Sequence, residues 1–276
     1  MLADTLKILK INGIKLDKRK GQNYLINKDV LSKIIQHSEL SNKDSVLEIG
    51  AGIGTLTIPL AKNAGKVIAV EQDKKVANVL VNRLEKLELS NVEVIVDDAT
   101  KLDLPETTKV VSNLPYKISS PITFKILEKP FEMGVLMYQK EFADRMIASP
   151  GNRNYSRLSV MIHFNANVEM LFNVSSNDFF PKPKVSSAVI KMKPKINVEV
   201  GEFFSNVTRA LFQHKKKKVR NALMDSFHEI GNLEKSEIKD LISKLDQETL
   251  DKRVFKMSPE DLFEISKEIE KSYCEN

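Results

Sequence analysis

The chain has 276 residues, 42% of them hydrophobic, which is enough for one or two folded domains and excludes a disordered chain. Its formal net charge of +6 is compatible with a polyanionic partner such as nucleic acid. Cys274 is the single cysteine and the four histidines match no metal-binding spacing, so we predict a reducing compartment, no internal disulfide and no metal. No apolar run approaches the ~20 residues of a membrane helix, which favours a cytoplasmic protein without membrane contact.

Short β-branched runs alternate with helical segments from residue 29 to residue 140, which predicts a parallel sheet covered by helices. The strands of this part are predicted at Val46–Ile49, Val67–Glu71, Val92–Val96, Lys109–Ser112 and Val135–Gln139. The helices between them are predicted at Thr55–Ala64, Lys74–Leu87 and Pro121–Glu128. Two later strand-like runs, Val168–Val174 and Ser186–Met192, flank Pro181-Lys182-Pro183 and predict an antiparallel hairpin at the end of the sheet.

The pattern becomes helical beyond Lys193-Pro194. Apolar residues recur at helical spacing in four segments: Phe203–Leu211, Val219–Phe227, Ile238–Leu245 and Leu262–Ile269. Ser258-Pro259-Glu260-Asp261 has the cap residue, the proline and the acids that open a helix. We therefore predict an α/β domain at residues 1–194 and a small all-helical domain at residues 195–276.

A glycine-rich turn, Glu48 to Gly54, joins the first predicted strand to the first predicted helix. Glycine permits positive φ and close approach of a ligand to the backbone, so Gly50 and Gly52 are predicted to contact a cofactor. Glu71 ends the next strand, where an acid can bind ribose hydroxyls. Asp98 ends the third strand, where a carboxylate can accept a hydrogen bond from an adenine amine. This order predicts a pocket for S-adenosylmethionine.

A second motif, Ser112 to Tyr116, follows the apolar end of the fourth predicted strand. The Asn113 amide oxygen and the Leu114 carbonyl can accept the two hydrogens of a planar amine, and the Tyr116 ring can stack on its heterocycle. Such acceptors aim the nitrogen lone pair at a methyl donor without a strong base, so positioning and electrostatics carry the catalysis. We therefore predict that Asn113, Leu114 and Tyr116 form the amine acceptor site.

Other interpretations of these motifs stay open on the residues alone. The glycine-rich segment is also compatible with a plain tight turn, and Asn113-Leu114-Pro115-Tyr116 with a structural one. A dinucleotide-binding enzyme is less favoured, because Thr55 stands where the G-x-G-x-x-G fingerprint requires glycine. A protein of a different class, a ribosome-assembly factor that acts mainly by binding, is also possible.

The ordered motifs resemble the KsgA-type rRNA adenine dimethyltransferases, in an archaeal-like form, over nearly the full length of the chain. The matching segments are Gly21–Leu25, Glu48–Thr57, Asp98-Ala99, Asn113–Tyr116, Gln139–Glu141, Tyr155–Ser159, Phe179–Val185 and Arg253–Glu260. The resemblance implies a seven-stranded, Rossmann-like methyltransferase sheet with a helical C-terminal domain. It also implies dimethylation of two adjacent adenines near the 3′ end of small-subunit rRNA. Large-subunit adenine methyltransferases share the core motifs, but the match from Arg253 onward favours the small-subunit enzyme.

The resemblance also implies roles for individual residues. Asn23 and Leu25 would contact the cofactor, Gly50 would lie against its methionine part, and Asn113 would serve both cofactor and acceptor. Phe179 would be a second stacking face opposite Tyr116. This sequence departs from the usual family pattern in three places that remove no proposed catalytic group: Tyr24, Ala51 and Ser186.

The densest positive charge in the chain is the run from His214 to Arg220, which we interpret as a phosphate-binding segment. A second cluster, Lys18-Arg19-Lys20, is equally compatible with an RNA contact and a solvated loop. Arg153, Arg157 and Lys182 are expected at the entrance to the site. The implied partners are small-subunit rRNA and the pre-small ribosomal subunit, and we expect a monomer.

Overall fold

A computed structural model of the chain describes residues 1–14, 23–195 and 200–274. The chain divides into two compact units. The first unit consists of Met1–Ala143 and Asn167–Pro194, and the second consists of Asp144–Ala166 and Lys195–Asn276. None of the described helices combines the length and the apolar character needed to cross a membrane.

The strands of the described residues are β1 (Tyr24–Leu25), β2 (Ser45–Ile49), β3 (Lys66–Val70), β4 (Val92–Ile95), β5 (Lys109–Asn113), β6 (Met133–Gln139), β7 (Ala166–Val174), β8 (Phe179–Phe180) and β9 (Ser187–Pro194). The helices of the N-terminal half are α1 (Leu2–Ile11), α2 (Lys28–His37), α3 (Thr57–Ala61), α4 (Lys74–Lys86), α5 (Ser119–Leu127) and α6 (Lys140–Met146). The remaining helices are α7 (Arg157–Asn165), α8 (Glu202–Gln213), α9 (Val219–Ser226), α10 (Lys235–Lys244), α11 (Gln247–Asp251) and α12 (Pro259–Cys274).

The predicted seven-stranded sheet is confirmed, with strand order β4-β3-β2-β5-β6-β9-β7. The strands from β2 to β6 are parallel to their neighbours, and β9 runs antiparallel to β6. Because β9 is inserted between β6 and β7, the C-terminal strand contacts a strand of the parallel part as well as its hairpin partner. β2, β3, β5 and β6 are almost continuous runs of buried residues, as expected for strands that are covered on both faces.

The carboxyl ends of the parallel strands are fixed by short local signals. Asp73 caps α4 by accepting hydrogen bonds from the backbone amides of Lys75 and Val76. α3 begins at Thr57, two residues later than predicted, because the glycine turn continues through residue 56. The sequence patterns predicted neither α2 nor α7, although Asn27 caps α2 with its side chain and Ser156 and Ser159 form a capping box at α7.

The second unit has its own hydrophobic core, built mainly from α8, α9, α10 and α12. Tyr155 and Val160 are buried in this core although they precede β7 in the chain. The Tyr155 hydroxyl also donates a hydrogen bond of 3.0 Å to the Met257 carbonyl. For these reasons residues 144–166 belong with the helices, whereas the predicted boundary at residue 194 placed them in the α/β domain.

Candidate active site

A cavity of about 630 Å³ lies at the carboxyl ends of β2, β3 and β5 in the first unit. This edge of a parallel sheet is where ligands bind in open α/β folds. Nine of the ten predicted site residues line the cavity, and they come from five separate places along the chain: Asn23, Leu25, Gly50, Gly52, Glu71, Asp98, Asn113, Leu114 and Tyr116. The tenth, Phe179, is not in the lining.

The glycine turn joins the cofactor side of the cavity to the acceptor side. Gly50 has a φ of +78°, and a Cβ atom at this position would lie 2.9 Å from Pro115 Cγ. The Gly50 amide donates a hydrogen bond of 2.8 Å to the Val70 carbonyl, so the turn is also attached to β3. A side chain at Gly50 would therefore strain the backbone and displace the acceptor loop.

Glu71 is held in one orientation by backbone amides. The Gly52 amide donates to Glu71 Oε2 at 2.8 Å, and the Asp73 amide donates to Glu71 Oε1 at 2.9 Å. An ionised carboxylate accepts about four hydrogen bonds in total. The carboxylate is thus fixed and able to accept hydrogen bonds from ligand hydroxyls.

Asp98 is fixed by its own turn. Its Oδ1 atom accepts hydrogen bonds from the Thr100 hydroxyl at 2.7 Å and from the Thr100 amide at 3.0 Å. These bonds lower the pKa of Asp98, so it is ionised at neutral pH and suited to accept a hydrogen bond from an amine.

Glu48 is a cavity residue to which the sequence analysis assigned no role, although it opens the glycine motif. Its side chain is buried, and its Oε2 atom has no hydrogen-bond partner in the part of the chain that the structure describes. Burial raises the pKa of Glu48 to about 8, the nearby Thr57 hydroxyl opposes this effect, and the charge of Glu71 adds to it. The signal that could have identified it is an acid on the strand that enters a ligand-binding turn.

Asn113 has a defined amide orientation. Its Nδ2 atom donates to the Asn23 carbonyl at 3.3 Å, which assigns the nitrogen to that side. The opposite atom, Oδ1, accepts no hydrogen bond from the described residues, and Asn113 is part of the cavity lining. Ser112 Oγ donates to the Ile49 carbonyl at 2.6 Å and so ties β5 to β2 next to the site. Asn113 therefore presents an acceptor at the fixed end of a strand.

Tyr116 lies on a short 3₁₀ turn, Tyr116–Ile118, next to Asn113. Its hydroxyl is 2.6 Å from Ser187 Oγ on β9, which anchors the ring at its far end. Burial raises the pKa of Tyr116, and the hydrogen bond from Ser187 only partly offsets this effect, so the phenol is neutral. An anchored neutral ring is suited to stacking on a heterocycle.

Phe179 lies outside the cavity lining, unlike the other nine predicted site residues. It is 3% exposed and belongs to a core cluster of the first unit. β8 pairs with β1, so that Phe179 is aligned with Leu25 and Phe180 with Tyr24. In this conformation Phe179 belongs to the same core cluster as the cavity residue Leu25. Its role as a second stacking face stays a prediction.

The basic run of the second unit is largely occupied by internal contacts. Lys217 pairs with Asp225 at 2.6 Å. Lys218 and Arg220 both pair with Asp251, each at 3.0 Å. Paired cations with this geometry are part of the scaffold and have less charge available for a polyanion.

Other exposed cations of the second unit form a second basic surface. Only one of them, Lys216, belongs to the run His214–Arg220. Lys215 Nζ donates to the Arg153 carbonyl at 2.9 Å, and an Arg253 guanidinium nitrogen donates to the Lys216 carbonyl at 2.7 Å. The Phe255 amide donates to the Lys215 carbonyl at 2.9 Å, so the turn Val254–Lys256 lies beside Lys215. We call Arg153, Lys216, Arg253 and Lys256 the basic cluster; all four are exposed and have no acidic partner among the described residues.

Three predicted positions do not belong to the basic cluster. An Arg157 guanidinium nitrogen donates to Ser205 Oγ at 2.7 Å, so Arg157 stabilises the second unit. Lys182 belongs to the first unit and does not line the cavity. Lys18-Arg19-Lys20 lies outside the described residues. The described residues contain no group of three or more His, Cys, Asp or Glu side chains that could hold a metal ion.

The fold and the cavity together define a class of protein. A seven-stranded sheet of this order, with a glycine turn and two acids at its carboxyl edge, is the framework of a methyltransferase that uses S-adenosylmethionine. The profile of a family described as ribosomal RNA adenine dimethylase matches residues 13–271. The chain belongs to this family, and its cofactor is S-adenosylmethionine.

Individual relatives agree with this assignment. A probable ribosomal RNA small subunit methyltransferase A of Methanothermobacter thermautotrophicus is 49% identical over 270 residues, which cover 98% of this chain and 97% of the relative. Its counterpart in Pyrococcus furiosus is 48% identical over 246 residues, 89% of each chain. A crystal structure of a dimethyladenosine transferase from Plasmodium falciparum has a TM-score of 0.77 and 31% identity, covering 90% of this chain and 98% of that one. The 23S rRNA methyltransferase ErmE shares the fold, with a TM-score of 0.65 at 24% identity, covering 90% of this chain and 99% of that one.

Proposed function

We propose that this protein dimethylates the N6 amines of two adjacent adenosines near the 3′ end of small-subunit rRNA. The observation that carries this proposal is the meeting of the glycine turn and the Asn113 loop in one cavity, where a Cβ atom at Gly50 would lie 2.9 Å from Pro115 Cγ. Family membership and the small-subunit methyltransferase relatives support the choice of substrate.

The cofactor side of the cavity fits S-adenosylmethionine, which supplies an electrophilic methyl group when bound. The fixed Glu71 carboxylate would accept hydrogen bonds from the ribose, and Asp98 would accept one from the adenine amine. Gly50 and Gly52 let the backbone approach the methionine part, and Asn23 and Leu25 close the cavity from the N-terminal segment.

The acceptor side is built to orient an amine. Asn113 Oδ1 and the Leu114 carbonyl would accept the two hydrogens of the adenine N6 amine and direct its lone pair toward the methyl group. The Tyr116 ring would stack on the base. A base in a helix cannot reach such a cavity, so the target adenosine has to be unpaired or turned out of its stack.

The wider assignment follows from the substrate. We propose that a monomer acts in the cytoplasm on the pre-small ribosomal subunit, and that the basic cluster contacts rRNA phosphates. Within the original basic run, Lys216 would contribute to this contact, whereas Lys217, Lys218 and Arg220 mainly stabilise the unit through their ion pairs.

The decisive experiment incubates the protein with S-adenosylmethionine labelled in its methyl group and with unmethylated small subunits, and then maps the labelled nucleotides. We expect label at N6 of two adjacent adenosines near the 3′ end of the rRNA, with up to two methyl groups on each. Label on large-subunit rRNA, or on cytosine or guanosine, would contradict the proposal.

A second experiment compares cations of the basic cluster with cations of the basic run that form ion pairs. The double variant Lys216→Gln, Lys256→Gln should weaken binding of the rRNA and reduce the slope of log K against log salt by about 2, because each phosphate contact contributes about 0.9. The double variant Lys217→Gln, Lys218→Gln removes the same charge but should change this slope less. Equal slopes for the two variants would show that ion pairing does not determine which lysines contact the RNA.

A further inference from the structure

Glu48 is a buried acid whose carboxylate the proposed methyl transfer does not use. Only 2% of the residue is exposed, and Oε2 has no hydrogen-bond partner among the described residues. Burying a polar atom without a partner destabilises the folded protein, so such an atom next to a ligand cavity marks a functional group. Glu48 lines the cavity two residues before Gly50, on the strand that enters the glycine turn.

The cavity around Glu48 is rich in acids. The other titratable side chains in its lining are Tyr24, Glu71, Asp73, Asp98, Tyr116 and Lys117. The lining therefore holds four carboxyl groups and a single lysine. Thr57 of α3, which is not titratable, is the remaining polar neighbour that affects Glu48. An acidic cavity of this kind favours a positively charged ligand.

We propose that Glu48 is a specificity-determining residue that favours the charged methyl donor over its neutral demethylated product, by ionising when the donor binds. S-adenosylmethionine carries a sulfonium cation, and S-adenosylhomocysteine has an uncharged thioether in its place. The two molecules are otherwise alike, so a group that responds to the sulfonium charge distinguishes donor from product. Such a preference promotes release of product after each transfer.

The direction of the coupling follows from the environment of the carboxyl group. Burial and the charge of Glu71 raise the pKa of Glu48 to about 8, so at pH 7 the carboxyl group of the free protein is mainly protonated. A nearby cation lowers the pKa of an acid, so donor binding releases a proton to solvent. The affinity for S-adenosylmethionine should consequently rise with pH up to about pH 8 and be constant above it.

Titration calorimetry tests this coupling directly. Binding of S-adenosylmethionine and of S-adenosylhomocysteine is measured at pH 7 in two buffers with different ionisation enthalpies, which gives the number of protons released. We expect the donor to release close to one proton more than the product. In Glu48→Gln this difference should disappear, and the preference for donor over product should fall about tenfold, or about 1.4 kcal/mol.

Two variants make the result specific to Glu48. Asp103→Asn removes an acid outside the cavity lining, and the hydrogen bond from Lys129 lowers the pKa of Asp103, so proton release by this variant should match that of the wild type. Glu48→Asp keeps a carboxyl group and should restore part of the coupling that Glu48→Gln loses. Equal proton release by the two ligands in the wild-type protein would overturn the proposal, whether or not Glu48→Gln folds. So would an undiminished difference in Glu48→Gln.

Discussion

The two ends of the parallel sheet differ in whether their buried polar groups have hydrogen-bond partners. At the amino end of β5, Lys109 Nζ donates to the Ser38 and Glu39 carbonyls and lies 3.5 Å from Asp44 Oδ2. The same Asp44 carboxylate accepts a hydrogen bond of 2.8 Å from the Ser41 hydroxyl and one of 3.1 Å from Thr108. Each of these polar side chains has a partner.

At the carboxyl end, about four residues further along the same strands, the partners are incomplete. Glu48 Oε2 is buried without a hydrogen bond, and Asn113 Oδ1 accepts none from the described residues. The pKa of the buried acid also differs between the two ends. Burial alone would raise the pKa of Asp44, but hydrogen bonds from Ser41 and Thr108 and the charge of Lys109 together lower it, whereas the pKa of Glu48 stays raised. Complete pairing therefore marks the scaffold of this sheet, and incomplete pairing marks its site.

The strongest test of this contrast replaces the acceptor at the carboxyl end. Asn113→Ala should lower the rate of methyl transfer by about 10²–10³-fold or more, because one preorganised polar group in an active site has an effect of that size. Binding of S-adenosylmethionine should weaken only modestly, as calorimetry would show. Asn63→Ala is a matched control, since Asn63 is exposed and its side chain donates to the Pro59 carbonyl of α3. Turnover of Asn113→Ala at the wild-type rate would refute the acceptor chemistry.

The amino end should respond in stability instead of activity. Lys109→Met leaves Asp44 as a buried charge without its cation, which should lower the free energy of unfolding by about 3 kcal/mol in urea denaturation. Lys66→Met on β3 is the control, because its pair with Glu93 is 2.8 Å long but half exposed and should contribute under about 1 kcal/mol. A loss of equal size in both variants would mean that burial does not separate these pairs.

The sequence predicted the features of the fold that depend on local patterns. Alternating strands and helices gave the parallel sheet, and the glycine turn and the Asn113 loop fell at its carboxyl edge because parallel strands end there. The position of β9 between β6 and β7 was not predicted, since it depends on pairing between residues about 50 positions apart in the chain. The helical identity of residues 157–165 was missed, because their burial is determined by α8 and α12.

The site was predictable to a similar extent. Side chains that follow strand ends were placed together correctly, because the topology alone brings them to one edge. The state of Glu48 was not predictable, since it depends on the distant neighbours Thr57 and Glu71. The same is true of the basic run, where Asp225 and Asp251 neutralise cations that the sequence presents as a continuous patch.

Glu48 also predicts a pH dependence of folding at the carboxyl end. Its pKa is about 8 in the folded protein and near 4.5 when unfolded, so between these values the folded state binds more protons and stability falls as pH rises. This slope is at most about 1.4 kcal/mol per pH unit for one group. Glu48→Gln should therefore gain stability relative to the wild type from pH 5 to pH 8, in urea denaturation without cofactor. A constant difference between the two proteins across this range would contradict the raised pKa.

The smallest expected effect concerns the anchor of the stacking ring. Tyr116→Phe keeps the ring but removes its hydrogen bond to Ser187, which should cost about 1 kcal/mol of positioning, or about fivefold in kcat/KM for rRNA. Tyr116→Ala removes the stacking face as well and should lose considerably more. The measurement is steady-state methylation of unmethylated small subunits, with S-adenosylmethionine affinity as the control that should be nearly constant. Equal impairment of Tyr116→Phe and Tyr116→Ala would show that the hydroxyl is the functional group and that the ring is not a stacking surface. Tyr116 would then belong with the fully partnered scaffold.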